Sequence, residues 1–221
     1  MSASIDKWLG LEYMVKSLVV NCSPDKGAKM AELLAAIGKF SQCSAVRFEE
    51  ITSSYELEAD VDAVVLSGSR ARIVDPNIRE EFRATIDSVK RFNLPILGIC
   101  FGHQLLCWSL GCDVGSIPEP VIDAFEEIRV VEPNHLFAGF EKSQTVPLAE
   151  SHFDYVLKRG LDTAGLVLLA DSRSCEVEAV KHRKKPFYGV QFHPEQISIK
   201  GQKHLEGHSV IENFYRKTVK R

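Results

Sequence analysis

The stretch Pro95-Ile96-Leu97-Gly98-Ile99-Cys100-Phe101-Gly102-His103-Gln104 (residues 95–104), running on through Leu105, Leu106 and Cys107 to Gly111, decides the fold. Pro95 to Ile99 is a short, continuously apolar run, as expected for a strand buried on both faces. With no intervening loop it passes into FGHQLLCWSL, an apolar helical stretch closed by Gly111. The same alternation extends upstream. Ser17 to Asn21 (SLVVN), Ala45 to Glu49 and Asp62 to Leu66 (DAVVL) read as strands. Between them, Lys26 to Phe40 carries Met30, Leu33, Leu34 and Ile37 at helical spacing, and Pro76 to about Arg91 carries Ile78, Phe82, Ile86 and Val89 on one stripe. Buried strands alternating with helices predict an α/β fold with a mixed, mainly parallel central sheet flanked by helices. Downstream, Ile128–Val131, Gln144–Leu148, Leu166–Ala170, Glu176–Lys181 and Phe187–Phe192 read as further strands. Arg183-Lys184-Lys185 lies at a hairpin tip, and Ser209–Lys217 forms a closing helix. No repeat or linker interrupts the chain, so one domain is expected over 17–221, preceded by an N-terminal extension over 1–16.

Composition narrows the class. The 221 residues are 45% hydrophobic and 26% charged, with a net charge of −3. That is too apolar for a disordered chain and too charged for a membrane bundle, and the acidic balance offers no electrostatic basis for nucleic-acid binding. No apolar run approaches the roughly 20 residues of a membrane span. Met1 to Gly10 lacks the basic start and apolar core of a signal peptide. A cytoplasmic, reduced protein is expected, with most of the six cysteines acting as small buried hydrophobes. Neither Cys nor His residues fall at metal-ligand spacing, so no metal site is expected.

Gly98-Ile99-Cys100-Phe101-Gly102 has the G-x-nucleophile-x-G form of a nucleophile elbow, with Cys as nucleophile. Small residues on both sides suit a tight strand-to-helix turn. The turn lifts the sulfur off the sheet edge and sets it at a helix N-terminus, whose positive end favours thiolate. A thiol nucleophile needs a base, and the base an orienting group. Gly189-Val190-Gln191-Phe192-His193-Pro194-Glu195 supplies both at the end of a strand. In an extended backbone His193 and Glu195 point to one side, and Pro194 denies the segment a helix. An oxyanion hole needs two fixed N–H donors, and the residue after an elbow nucleophile, Phe101, is one candidate.

GICFGHQ (98–104) and YGVQFHPE (188–195), in that order, resemble the motifs of class I glutamine amidotransferases, and the resemblance runs from about Val19 to about Arg216. It implies a flavodoxin-like core and a reaction in which Cys100 attacks the side-chain amide of L-glutamine to form a γ-glutamyl thioester and release ammonia. His193 then serves as base and acid, and Glu195 orients it. The second oxyanion donor would come from the Gly68 turn, where Ser69-Arg70 stands in place of the family's usual Gly-Pro. Gln104 would hold substrate glutamine. Ser151, His152 and Phe153 fall in the segment whose backbone receives its α-amino and α-carboxylate groups. The Ser-His-x-Asp-x-Val form of that segment is most similar to the amidotransferase part of guanosine monophosphate synthetases.

No cofactor is implied. The chain has no G-x-x-x-x-G-K-[ST] phosphate loop and, at 221 residues, no room for a synthetase domain. An ATP-dependent synthetase on another polypeptide is therefore the expected partner and ammonia acceptor. Two other functions remain open: a γ-glutamyl hydrolase or peptidase using the same Cys and His, and a non-catalytic regulatory homologue. Neither the residues of 1–16 nor the stretch 196–206, longer than the family pattern, finds a role in this reading.

Overall fold

The computed structural model describes residues 14–25, 30–133 and 135–219. Most of the extension expected over 1–16, and residues 26–29 of the first expected helix, lie outside these. The first half follows the alternation: β1 (Lys16–Asn21), α1 (Met30–Ile37), β2 (Gln42–Arg47), β3 (Ala63–Leu66), α2 (Pro76–Glu81), α3 (Arg83–Arg91), β4 (Ile96–Ile99) and α4 (Phe101–Ser109). There follow β5 (Val114–Val130), β6 (Thr145–Val156), β7 (Leu166–Asp171), β8 (Ala179–His182) and β9 (Phe187–Val190). A small hairpin, β10 (Ser198–Ile199) and β11 (Gln202–Lys203), precedes α5 (Glu206–Lys217).

Nine strands form one sheet in the order β2-β1-β3-β4-β9-β8-β7-β5-β6. The ladders from β2 through β1, β3 and β4 to β9 are parallel. Those from β9 through β8, β7 and β5 to β6 are antiparallel. The sheet is mixed, and its antiparallel half is as large as its parallel one. Side chains alternate between two cores. Val19, Val65, Leu97 and Ile99 face Leu33 and Ile37 of α1 and Val210, Ile211 and Phe214 of α5. Val20, Val64, Leu66 and Ile96 face Ile86 and Val89 of α3 and Phe101 and Leu105 of α4. Helices on both faces explain why the strands are apolar at every position rather than every second one.

Three departures from the sequence expectation have physical causes. The helix expected over 76–91 breaks at Phe82 (φ −89°, ψ 0°). There the ring turns inward between Phe48, 3.9 Å away, and Phe101, 4.9 Å away. Strand β5 reaches back to Val114, well before Ile128. Its early half is exposed, contains two prolines and slips register twice, so it carries no apolar alternation. Strand β6 runs on past Leu148 to Val156, where Glu150, His152 and Asp154, all buried, occupy inward positions and leave no apolar alternation to mark it.

The hairpin expected around Arg183–Lys185 joins antiparallel β8 and β9. The unexplained stretch 196–206 contains the β10–β11 hairpin, whose turn residues Lys200 and Gly201 both have positive φ (49° and 83°), as a type I′ turn demands. No described helix is long and apolar enough to cross a membrane.

Phe82 seats α3 against the start of α4, so its loss should be felt globally. Phe82→Ala is expected to cost about 3–5 kcal/mol, the range for truncating a buried aromatic ring. Urea unfolding checks this: a midpoint unchanged from wild type would show that the ring stack is dispensable.

Candidate active site

Strands β3, β4 and β9 lie side by side and parallel, with Leu66 opposite Gly98 and Gly98 opposite Gly189. Their C-terminal ends therefore open at one edge of the sheet, the usual place for chemistry in such folds. Cys100 directly follows β4, the Ser67-Gly68 turn directly follows β3, and His193 comes three residues after β9.

Cys100 is the one residue between strand and helix and has φ 50°, ψ −108°. A non-glycine residue held at positive φ costs on the order of 1–3 kcal/mol. Two hydrogen bonds hold it: its N–H donates to the Val190 carbonyl (2.8 Å), and its carbonyl accepts from Gln104 N–H (3.0 Å). The flanking glycines are sterically required. A Cβ on Gly98 would lie 2.6 Å from the Gly102 carbonyl oxygen, and one on Gly102 would lie 2.7 Å from Leu66 Cβ.

His193 hydrogen-bonds through Nδ1 to Oε1 of Glu195 at 2.8 Å, and its ring interacts electrostatically with Cys100. Its backbone N–H donates to the Ala149 carbonyl (2.7 Å), tying the end of β9 to β6. Burial opposes a charge on the ring, but Glu195 and Cys100 outweigh it and hold the imidazole well above its ordinary range. Sulfur, imidazole and carboxylate thus form one line, the arrangement that lets a thiol pass its proton to a base held by a third group.

Gly68 packs directly on this line. A Cβ there would lie 2.8 Å from Cε1 of His193 and 3.6 Å from Cys100 Cβ. Ser67 braces the turn, its hydroxyl accepting from Cys22 N–H (2.9 Å) and donating to the Gly68 carbonyl (3.0 Å). Ser69 is not among the described residues with positive φ, so serine in place of the family's second glycine carries no left-handed strain. Its hydroxyl instead accepts from Ala71 N–H (3.0 Å), and Arg70 is exposed. Phe101 opens α4, where first-turn N–H groups have no acceptor within the helix.

Strand β6 forms the opposite wall. The Ser151 carbonyl lies 3.8 Å from the Cys100 sulfur. His152 is buried, with Nδ1 3.0 Å from the Asp154 carbonyl oxygen. Phe153 is exposed, under the Arg72 guanidinium at 5.3 Å. Gln104 lies almost wholly inside. Its amide nitrogen donates to the Asp154 carbonyl (2.6 Å) and to Oε1 of Gln191 (3.0 Å). Gln104 therefore bears on the site through the β6 backbone that it pins.

Sequence reasoning missed the tie on the outer side. Arg72 donates to Asp154 through Nε (3.0 Å) and a terminal nitrogen (2.6 Å), and Ser116 donates to the same carboxylate (2.9 Å). Arg72 follows the Gly68 turn, so this ion pair clamps that turn to β6. Nothing in the spacing of residues 72, 116 and 154 announces it. Among the described residues, no group of three or more His, Cys, Asp or Glu could hold a metal ion.

Comparison with known proteins agrees with this geometry. The pattern of the family "Glutamine amidotransferase class-I" matches residues 25–217. The chain is 40% identical over 130 residues to a subunit of the glutamine-hydrolyzing GMP synthase of Pyrococcus furiosus. That alignment covers 58% of this chain and 63% of the relative, so it spans less than two thirds of that protein. It is 38% identical over 167 residues to the corresponding GMP synthase subunit of Methanocaldococcus jannaschii, covering 75% of this chain and 77% of the relative. The solved structure of a Thermoplasma acidophilum protein, assigned as the same GMP synthase subunit, superposes with a TM-score of 0.77 at 25% identity, covering 92% of this chain and 93% of that one. A family pattern that spans most of the chain, joined to a cysteine elbow facing a His-x-Glu pair, places this protein among the class I glutamine amidotransferases.

Proposed function

We propose that the chain hydrolyses L-glutamine to glutamate and supplies the ammonia to a partner synthetase that makes GMP. The observation that carries the chemistry is the line Cys100–His193–Glu195 beside the Gly68 turn. The Cys100 sulfur attacks the amide carbon of the glutamine side chain. The developing oxyanion accepts hydrogen bonds from the N–H groups of Phe101 and Gly68; losing one such donor typically costs about 10²–10³ in rate. His193, as imidazolium, gives its proton to the departing nitrogen, which leaves as ammonia, and a γ-glutamyl thioester remains on Cys100. Neutral His193 then takes a proton from water, whose oxygen attacks the thioester, and glutamate leaves as the thiol re-forms. Ser151, His152 and Phe153 present the β6 backbone to the α-amino and α-carboxylate groups, with Gln104 keeping that backbone in place.

The partner is inferred from the relatives named as GMP synthase subunits. It would be an ATP-dependent synthetase that activates xanthosine monophosphate. Free ammonia is mostly protonated near neutral pH, so direct transfer to a docked acceptor is an advantage. Glutamate release by the purified protein is expected to be weak alone and to rise when a GMP synthetase, xanthosine monophosphate and ATP are added. Release that is strong without a partner and equally good from γ-glutamyl peptides would favour a γ-glutamyl hydrolase. No release under either condition, with the thiol intact, would leave a non-catalytic homologue.

Cys100→Ala is expected to abolish glutamate release while leaving the urea midpoint close to wild type. His193→Ala should be nearly as severe. Glu195→Gln should be milder, because an orienting group is partly replaceable. Glutamate release by Cys100→Ala at the wild-type rate would reject the mechanism.

The His193–Glu195 pair also makes stability depend on pH. The folded imidazole titrates above the unfolded value of about 6.5, so the pair's contribution is complete below that value and is lost as pH rises through the higher folded one. Thermal melts of wild type and Glu195→Gln should differ most at mildly acidic pH and converge on the alkaline side. A gap that widens with rising pH would contradict the ion pair.

A further inference from the structure

Behind the wall that faces Cys100 lies a polar cluster that the triad does not use. Glu150 and His152 flank Ser151 on β6 and point inward. Glu178, just before β8, meets them there, and all three side chains are buried. The two buried carboxyls act on each other electrostatically, and Ser172 donates to Oε1 of Glu178 (2.6 Å). On the other side, Oε2 of Glu150 stands 3.2 Å from Nε2 of His152. Neither oxygen of Glu150, nor Nε2 of His152, nor Oε2 of Glu178 has a hydrogen-bond partner among the described residues.

Hydrogen-bond chemistry fixes the proton count. Nδ1 of His152 faces a backbone carbonyl, which only accepts, so Nδ1 carries a hydrogen. Two carboxylates have no hydrogen to share, so one proton must lie between Glu150 and Glu178. A second must lie between Glu150 and the remaining ring nitrogen, since two lone pairs 3.2 Å apart repel. Two protons on two carboxylates and an imidazole give a net charge of zero, and any other count leaves an uncompensated charge in a dry interior, at a cost of several kcal/mol.

We propose that Glu178, Glu150 and His152 form a buried chain of net charge zero that holds two protons and positions the Ser151–Phe153 backbone against Cys100, for binding of glutamine. These are positioning residues, and their role rests on Cys100 being the nucleophile of a glutaminase. Burial pushes Glu178 up to about 7 and Glu150 well above the carboxylate range, and it lowers His152. The charged and titratable groups facing the chain are Glu126 from β5, Asp171 from β7, Cys175 near Glu178, and Cys100, His103, Asp154 and His193 around Glu150 and His152. Asp171 is held by Arg129 through two hydrogen bonds, at 2.7 and 2.6 Å. With Glu178 near 7, the two-proton state is complete below neutral pH and loses a proton as pH rises through that value.

Infrared spectra of the full chain test the protons directly. Wild type at pH 6 should show the carbonyl stretch of buried protonated carboxyls. The band should weaken as pH passes about 7, and Glu178→Gln should lose that pH-dependent part. Absence of the band in wild type at pH 6, or a Glu178→Gln spectrum that still titrates in the same way, would overturn the proposal. Glutaminase kinetics test the positioning. Glu150→Ala should raise KM for glutamine about tenfold or more, the scale of leaving buried polar partners unmatched, and change kcat less. Glu150→Gln, which keeps a donor and an acceptor, should recover most of that loss. Equal KM in all three proteins, or equal damage from Gln and Ala, would overturn the role. If Glu150→Ala does not fold, Glu150→Gln and the infrared band decide. If Cys100→Ala still hydrolyses glutamine, the glutaminase reading fails while the infrared result still judges the chain.

Discussion

The structure depends on one tight turn. A chain that leaves β4 and enters α4 in a single residue must fold back on itself, and the backbone at Cys100 takes up the bend at positive φ. That conformation persists because its surroundings admit no other. Gly98 and Gly102 let the strand, the helix and the end of β3 approach within distances that a methyl group would not allow. The hydrogen bond from Cys100 N–H to Val190 then locks the turn to β9. The same contact that strains Cys100 aligns it with the strand that delivers His193.

Around this turn the protein buries many polar groups. His193 and Glu195, Gln104 and Gln191, and Glu150, His152 and Glu178 all lie inside, where each unmatched group costs about 1–3 kcal/mol. Several of their bonds join separate elements: the segment after β9 to β6, and α4 to β6. Apolar packing sets the two halves of the sheet together. This polar lattice holds the wall at Ser151 a fixed distance from the sulfur. On the solvent side Arg72 and Asp154 close the same frame by joining the Gly68 turn to β6.

Legibility in the sequence tracked burial by apolar groups. Strands β1, β3 and β4 were plain because both their faces meet helices, so hydrophobicity alone marks them. The elbow and the His-x-Glu pair were plain because their chemistry needs particular residues a few positions apart. Strand β6 was half hidden, since Glu150, His152 and Asp154 sit where a core strand ordinarily carries valine or leucine. The early half of β5 was hidden for the opposite reason: it is exposed, broken by Pro118 and Pro120, and has no buried face to create a period. The bend at Phe82 was invisible because a helical stripe reads the same whether or not the helix is continuous.

The amino-acid order by itself determined a parallel strand–turn–helix core, a cysteine at its sharpest point and a histidine with a carboxylate two residues on, because these are local matters of period, size and spacing. Only the tertiary structure decided which distant groups meet. It brought Gly68 under the imidazole, committed the Gln104 amide to β6, joined Arg72 to Asp154 and set Glu150 against Glu178. These contacts span tens of residues along the chain, and they are fixed by the order in which strands pair, which no local pattern encodes.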